Sequence, residues 1–330
     1  MRAVLVKEFG PVETHKIEDW SDPIPATGQV LITIKATAVN FVDSLVVSGK
    51  YQFLPERPFV PGKLPAGVVS SVGLGVTDFR IGDRVLTLAE EGGYAEKIAV
   101  DAQQCFKLPR SMTFVDAASM ALAYDTSWFA LRERARIRNG ETVLVLGSTG
   151  SVGSAAVQLA KAMGAKVFAG VSSLGKASLA VEAGADEIID LSKHNLRDGL
   201  REQVFAKNGG KGVDIILDPI GGDAFEAALR ALAWRGRLVV IGFASGRIPS
   251  VKVNYLLLKN IEVNGLQISD YRKRTPDLMK QCIGEIFAMF EGGRLKPATT
   301  VTYPLEQFAQ ALQQITERRA SGRIVLVPTA

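Results

Sequence analysis

Between Gly147 and Gly153 the chain reads Gly-Ser-Thr-Gly-Ser-Val-Gly, a run of small residues that includes three glycines. Such a run lets backbone N–H groups approach a pyrophosphate, whose charge is favoured at a helix N-terminus. The flanks supply the context that makes this reading specific. Thr142–Leu146 (TVLVL) has the composition of a strand. After the loop, Val152, Ala156, Leu159, Ala160 and Met163 recur at spacings of three to four, one face of a helix. Gly164 ends that pattern, and Lys166–Val171 reads as a second strand. The whole is a strand–loop–helix–strand unit of about 30 residues, the setting in which a glycine loop binds a dinucleotide rather than merely turning the chain. Ser148, Thr149, Gly150, Ser151, Val152 and Gly153 are therefore candidate cofactor-binding residues. No Lys-Ser/Thr pair follows the loop, which disfavours a nucleoside-triphosphate site.

The end of the second strand predicts which dinucleotide. An acidic residue there would bond the ribose 2′-hydroxyl of NAD and repel a 2′-phosphate. This chain has Val171-Ser172-Ser173-Leu174-Gly175-Lys176, with two hydroxyls, a cation and no acid. Each charge-assisted hydrogen bond to a phosphate is worth about 1.5–3 kcal/mol. Ser172, Ser173 and Lys176 thus predict NADPH, against the plain alternative of a solvated lysine at a helix start.

Two counts narrow the chemistry further. The chain has two cysteines, Cys105 and Cys282, and two histidines, His15 and His194, none beside another. A four-cysteine zinc ribbon is impossible, and neither a disulfide framework nor a His/Cys-built zinc site is expected. The same scarcity argues against a nucleophile activated by a positioned imidazole. The chemistry is expected to come from a cofactor.

The rest of the composition is ordinary. The 330 residues suggest two domains, and 47% hydrophobic with 22% charged residues is a globular mix. A net charge of +5, spread without runs of like charge and without a basic stripe of interleaved aromatics, suits a small anionic ligand better than a nucleic acid. No run approaches about 18 apolar residues, so no membrane span is expected. The start, MRAVLVKEFG, turns charged at Lys7 and Glu8, too early for a signal-peptide core, and a cytoplasmic protein is expected.

The elements that must carry the loop fall into two blocks. MRAVLV, QVLITIKATAV, GDRVLTL and YAEKIAV, joined by Gly- and Pro-rich turns, read as a β-rich block, a compact and partly open barrel. From about residue 120 the pattern alternates strand and helix, through ETVLVLG, AKVFAGV, EIIDL, GVDIILD and RLVVIGF, as in a parallel sheet with crossover helices. LKNIEVNGL offers one more strand. The C-terminal stretch loses the rhythm and is assigned to the first block. The expected fold is α/β: a doubly wound parallel sheet over residues 122–265, inserted in a β-rich domain made of 1–121 and 266–330.

Several motifs occur in order: AVNFVDSLVVSGKY, FVPGKLPAGVVSSVGLGV, FRIGDRV, GGYAEKIAV, ALAYDTSWFAL, GSTGSVGSAAVQLAKAMGA and IGFASG. As a set they resemble the zinc-free branch of the medium-chain dehydrogenase/reductase superfamily, and within it the NADPH:quinone oxidoreductase group. The resemblance spans nearly the whole chain. It implies a GroES-like catalytic domain with an inserted Rossmann domain, NADPH as cofactor and a homodimer, with LKNIEVNGL at the interface. It also implies that Asn40 and Tyr51 lie beside the nicotinamide, that Thr126 and Phe243 contact its end of the cofactor, and that Arg318 or Arg319 reaches the 2′-phosphate. Plainer roles stand beside these: Asn40 capping a turn, Tyr51 packing, Thr126 capping a helix.

The chain departs from its relatives in places. Zinc-dependent members carry a Cys near Asn40 and a His-Glu pair after Gly62, where this chain has Lys63-Leu64-Pro65. Leu45 and Leu191 stand where aromatics are common, and Asp125 where glycine is common. Without a metal or a Tyr-Lys relay, hydride needs an acceptor that already holds negative charge well. A quinone or an enone (an α,β-unsaturated carbonyl) does so, with Asn40, Tyr51 or water steadying the oxyanion and solvent or Tyr51 supplying the proton. Leu45, Tyr51, Phe53 and Leu54 suit a modest apolar pocket, while Lys50, Arg57 and Lys63 leave an enoyl thioester open. A protein that binds NADPH as a sensor or structural ligand, without turnover, is the alternative of another class.

Overall fold

The computed structural model describes residues 1–320 and 322–329. The chain forms two compact units, Met1–Leu122 with Lys296–Ala330, and Ala123–Leu295.

The first unit is built around one long strand, Gln29–Ala38, which pairs with Ala66–Val72, Lys97–Asp101 and Arg323–Val327 in a seven-stranded sheet. Its sequence alternates, and Val30, Ile32 and Ile34 point inward with the period of two that a pleated strand imposes. Val30 and Ile32 meet Val69, Val85 and Val100 in one core. The strand ends in the small buried residues Ala36, Thr37 and Ala38, and Asn40 follows as the N-cap of helix α1 (Phe41–Val47). The Asn40 N–H donates to the Asp43 carboxylate at 2.8 Å, and the Asp43 N–H donates back to the Asn40 carbonyl at 3.0 Å. A sheet strand thus passes into a helix at a fixed angle, with Asn40 at the corner.

The second unit carries six parallel strands: β1 (Thr142–Leu146), β2 (Lys166–Val171), β3 (Glu187–Asp190), β4 (Val213–Asp218), β5 (Leu232–Val240) and β6 (Glu262–Gly265). Their order across the sheet is β3-β2-β1-β4-β5-β6, the doubly wound arrangement. The strands are continuous apolar runs because helices cover both faces. Leu144, Phe168, Ile189, Ile216 and Leu238 pack with Leu200 and Val204 of one helix and Phe225 of another. Strand order reverses between β1 and β4, so the crevice outside their C-terminal ends is where this fold binds ligands. LKNIEVNGL does contain a strand, β6, at the edge of this sheet.

The C-terminal boundary differs from the one read in the sequence. Residues 266–295 belong to the second unit rather than the first. They form α4 (Ile268–Arg274) and α5 (Pro276–Glu291), which lock onto the end of helix α2 (Phe114–Phe129). Arg272 donates from Nε and Nη2 to Asp125 Oδ2, at 2.9 and 2.6 Å. Trp128 Nε1 donates to Glu285 at 2.9 Å, and the Phe129 and Tyr271 rings lie 4.6 Å apart. The sequence rhythm reports crossover helices only; these two helices connect no parallel strands, yet α5 buries Met279, Cys282, Ile283, Ile286 and Met289.

The Asp125–Arg272 pair is almost fully enclosed, with side-chain exposures of 0% and 1%. Removing one member of such a pair leaves an uncompensated charge, at a cost of about 3–5 kcal/mol. Arg272→Met is therefore expected to lose that much stability in denaturant titration, and Asp125→Asn added to it to recover a large part. A loss in Arg272→Met below about 1 kcal/mol, the level of a surface pair, would contradict the assignment.

Candidate active site

The glycine loop joins β1 to helix α3 (Ser151–Ala162), at the C-terminal edge of the sheet. Gly147 turns the chain at φ +61°, and a Cβ on Gly153 would lie 2.1 Å from the Gly147 carbonyl oxygen. The first turn of α3 therefore rests directly on the loop backbone, a closeness that only glycine permits. An α-helix leaves its first N–H groups without intrahelical acceptors, and the N-cap, Gly150, brings no side chain to cover them. Gly150 and Ser151 are exposed, and Thr149 and Val152 are half-buried. This is a cradle for an anion at a helix N-terminus.

Ser148 belongs to the frame of that cradle. It is fully buried, and its N–H and hydroxyl both donate to the Gly170 carbonyl at 3.1 Å, stitching the loop to β2. Ser172, Ser173 and Lys176 lie together, exposed, in the turn that follows β2. The Lys176 N–H closes that turn on the Ser173 carbonyl at 3.1 Å. Strands β1 and β2 are paired neighbours, so this turn and the glycine loop sit at the same end of the sheet.

Two further predicted residues come to the same end. Thr126 is buried, with its hydroxyl 3.3 Å from Asp125, and the next residue's hydroxyl, Ser127 Oγ, lies 3.0 Å from the Val152 carbonyl. That contact seats the Thr126 turn against the start of α3. Phe243 lies in the segment after β5, which is pinned to the end of β4 by Ile241 N–H to the Asp218 carbonyl at 2.8 Å and Ser245 N–H to the Ile220 carbonyl at 2.9 Å. The Ile220 side chain in turn lies 3.1 Å from where a Gly147 Cβ would stand.

Sequence reading missed Asp218, which closes β4 at this edge. It is fully buried; Oδ1 accepts from the Ile220 and Gly221 N–H groups at 2.8 and 2.9 Å, while Oδ2 has no hydrogen-bond partner among the described residues. Burial pushes its carboxyl above the usual aspartate range, against those two N–H donors. An aspartate ending an apolar strand just before Pro-Ile-Gly-Gly was the available signal.

The first unit holds a second polar cluster. Asn40 is buried, and both ends of its amide are engaged: Oδ1 accepts from Arg323 Nη2 at 3.0 Å, and Nδ2 donates to the Ala38 carbonyl at 3.1 Å. Arg323 Nε donates to the Ser119 carbonyl at 3.1 Å. Asp43, also buried, accepts the Tyr94 hydroxyl at 2.9 Å, and burial pushes both of these groups up. Lys63 Nζ donates to the Glu90 carboxylate at 2.7 Å and to the Glu90 carbonyl at 3.0 Å. Tyr51 is half-buried, with its ring edge-on to Phe53 at 6.5 Å and 6.0 Å from Lys63 Nζ. Asn40 thus does cap a helix, and most of its amide is committed to the frame. Arg318 and Arg319 also belong to this unit, after helix Phe308–Thr316, and Arg319 pairs with Glu317 at 3.0 Å. Among the described residues no three His, Cys, Asp or Glu side chains are grouped to hold a metal ion.

Comparison with known proteins agrees with this architecture. Residues 26–110 match the alcohol dehydrogenase GroES-like domain, and residues 151–283 match the family described as zinc-binding dehydrogenase. The chain is 36% identical over 329 residues to a quinone oxidoreductase-like protein 2 homolog of Nematostella vectensis, covering 98% of this chain and 88% of that one. A Pseudomonas syringae quinone oxidoreductase superposes with a TM-score of 0.91 at 31% identity, covering 99% of each chain. Escherichia coli quinone oxidoreductase, solved in complex with NADPH, gives 0.90 at 29% identity, with 99% of this chain and all of that one covered. The chain belongs to the medium-chain dehydrogenase/reductase superfamily, in its quinone oxidoreductase group, a group of oxidoreductases.

The tightest constraint at the site gives a direct prediction. In Gly153→Ala the new methyl must displace the Gly147 carbonyl or the start of α3, so NADPH affinity measured by calorimetry is expected to fall by about tenfold or more, roughly 1.4 kcal/mol. Unchanged affinity would show that the loop tolerates the shift and that its closeness to α3 is not what shapes the cradle.

Proposed function

We propose that this chain is a zinc-independent, NADPH-dependent oxidoreductase whose acceptor is a quinone. The observation that carries the proposal is the cradle of Gly147–Gly153 at the switch point of the parallel sheet, where a Cβ on Gly153 has no room. Backbone N–H groups at the start of α3 fit a pyrophosphate, and the acid-free turn Ser172-Ser173-Leu174-Gly175-Lys176 fits a 2′-phosphate. The NADPH complex of the E. coli relative supports the same choice. From the family resemblance alone we also assign Arg318 or Arg319 to the 2′-phosphate.

When bound, NADPH supplies a hydride from its nicotinamide. The chain's own residues do the rest. The Thr126 turn and the Phe243 segment orient the nicotinamide end, each held by backbone contacts to α3 or β4. Asp218 fixes the β4 edge through the Ile220 and Gly221 N–H groups. On the first unit, Tyr51 edge-on to Phe53, with Leu54 close in sequence, offers apolar surface to the acceptor, and Asn40 holds the start of α1. A quinone suits this set because its reduced oxygens stabilise negative charge without a metal. Among the described residues β6 is the edge strand of the sheet, which supports a homodimer formed there; the even composition and the charged start of the chain support a cytoplasmic place.

A turnover panel tests the proposal. Oxidation of NADPH and of NADH is followed with benzoquinone, a naphthoquinone, an aliphatic enone, an enal and crotonyl-CoA. Quinone turnover with NADPH is expected, and Lys176→Ala is expected to cut the NADPH-over-NADH preference by about tenfold or more. Turnover confined to enones or the thioester would replace the acceptor class. Equal use of the two cofactors, unaltered in Lys176→Ala, would remove the 2′-phosphate assignment. NADPH binding without any turnover would favour a sensor. Light scattering on the same preparation is expected to read twice the chain mass, and a monomer would rule out the homodimer.

A further inference from the structure

Lys63 is the residue that the proposed function leaves without work. Its side chain is only 9% exposed, an uncommon place for the most strongly hydrated cation. A lysine needed only to neutralise Glu90 could do so from the surface, where such pairs abound and contribute little. Instead the backbone forces it inward. Gly62 stands at φ +95°, and a Cβ there would lie 2.3 Å from the Tyr94 ring. Leu64 takes φ +54°, a left-handed conformation that a leucine adopts only under constraint. Its N–H is fixed to the Ala89 carbonyl at 2.8 Å. Two unusual backbone positions therefore flank Lys63 and fix where it starts.

Its surroundings include the ring of Tyr51, a residue of the proposed acceptor side. The ammonium stands 6.0 Å from the centre of the Tyr51 ring, and its charge is felt by buried Asp43 at the foot of the Asn40 corner. An ammonium has three N–H donors, and Glu90 takes two, one through its carboxylate and one through its carbonyl. Among the described residues one N–H remains on a cation that is already held in place and largely shielded from water. Such a donor is worth most where charge develops during a reaction, because nothing has to reorganise when it does.

We propose that Lys63 contacts the acceptor and stabilises it as it becomes anionic, its third N–H donating to the acceptor oxygen. The assignment rests on the reading of the chain as a reductase of oxyanion-forming acceptors. No bond of the ammonium breaks: Lys63 keeps its three protons, and water supplies the proton that neutralises the product.

The test uses para-nitrophenol, a flat phenol whose two protonation states differ in absorbance, as a stand-in for the anionic acceptor, with the full chain and NADP+ present. Wild type is expected to bind the phenolate over the phenol by about tenfold or more. Lys63→Met should abolish that preference, and Lys63→Arg, which keeps the charge, should restore part of it. Melting temperature and NADPH affinity, both expected to stay near wild type in Lys63→Arg, separate misfolding from a lost contact. In turnover with the best quinone, Lys63→Met is expected to lower kcat by about tenfold to a hundredfold with NADPH affinity unchanged. A phenolate preference absent from wild type or retained in Lys63→Met overturns the assignment, as does an unchanged kcat in Lys63→Met. If wild type shows the preference, Lys63→Met loses it and no acceptor is turned over, the oxyanion contact of Lys63 stands, while the redox reading and its part in catalysis fall.

Discussion

The contact on which the cofactor half depends is the seat of α3 on the glycine loop, so close that a Cβ on Gly153 would meet the Gly147 carbonyl. A helix placed so close brings its N-terminal N–H groups to the end of the sheet, where strand order reverses. Everything nearby is arranged to keep that seat. Ser148 gives its hydroxyl to β2, Ile220 packs beside Gly147, and Ser127 reaches the carbonyl of Val152. Each is a modest interaction, and together they tie the loop to β2, to the end of β4 and to the helix that carries Thr126. A preformed cradle of this kind avoids ordering costs when a ligand arrives.

Buried charge is the second theme. Asp125 and Arg272 neutralise each other inside the second unit, tying the helix that carries Thr126 to α4. Asp43 is buried in the first unit, receives the Asn40 N–H and the Tyr94 hydroxyl, and lies within the field of Lys63. Such groups contribute little net stability when satisfied, and their removal is costly. Their use here is positional: the first pair sets Thr126, and the second set fixes the corner at Asn40 and the approach of Lys63. Asp218 differs, because one of its oxygens has no partner among the described residues and its burial is offset only by two backbone N–H groups.

The sequence made the parallel sheet readable because each of its strands is a short apolar run followed by a helix of fixed period. The glycine loop was readable for a related reason: steric exclusion of a Cβ leaves glycine as a visible trace. The family resemblance, carried by ordered motifs, likewise agrees with the matched domains. Residues 266–295 were misplaced because α4 and α5 join no strands, so no alternation marks them. Asp125 stood out as a departure, yet nothing near it in the chain could show that Arg272, far along the sequence, would meet it. Asn40 and Ser148 were found by position, while their commitment to the frame depends on partners, Arg323 and Gly170, that only the folded chain brings near. Asp218 was passed over because a lone aspartate after a strand has many ordinary uses.

The most direct test of the account is a crystal structure of the chain with NADPH. The pyrophosphate is expected against the backbone of Gly150–Gly153 and the 2′-phosphate among Ser172, Ser173 and Lys176. A cofactor bound elsewhere, or one whose 2′-phosphate projects into solvent away from Lys176, would contradict it.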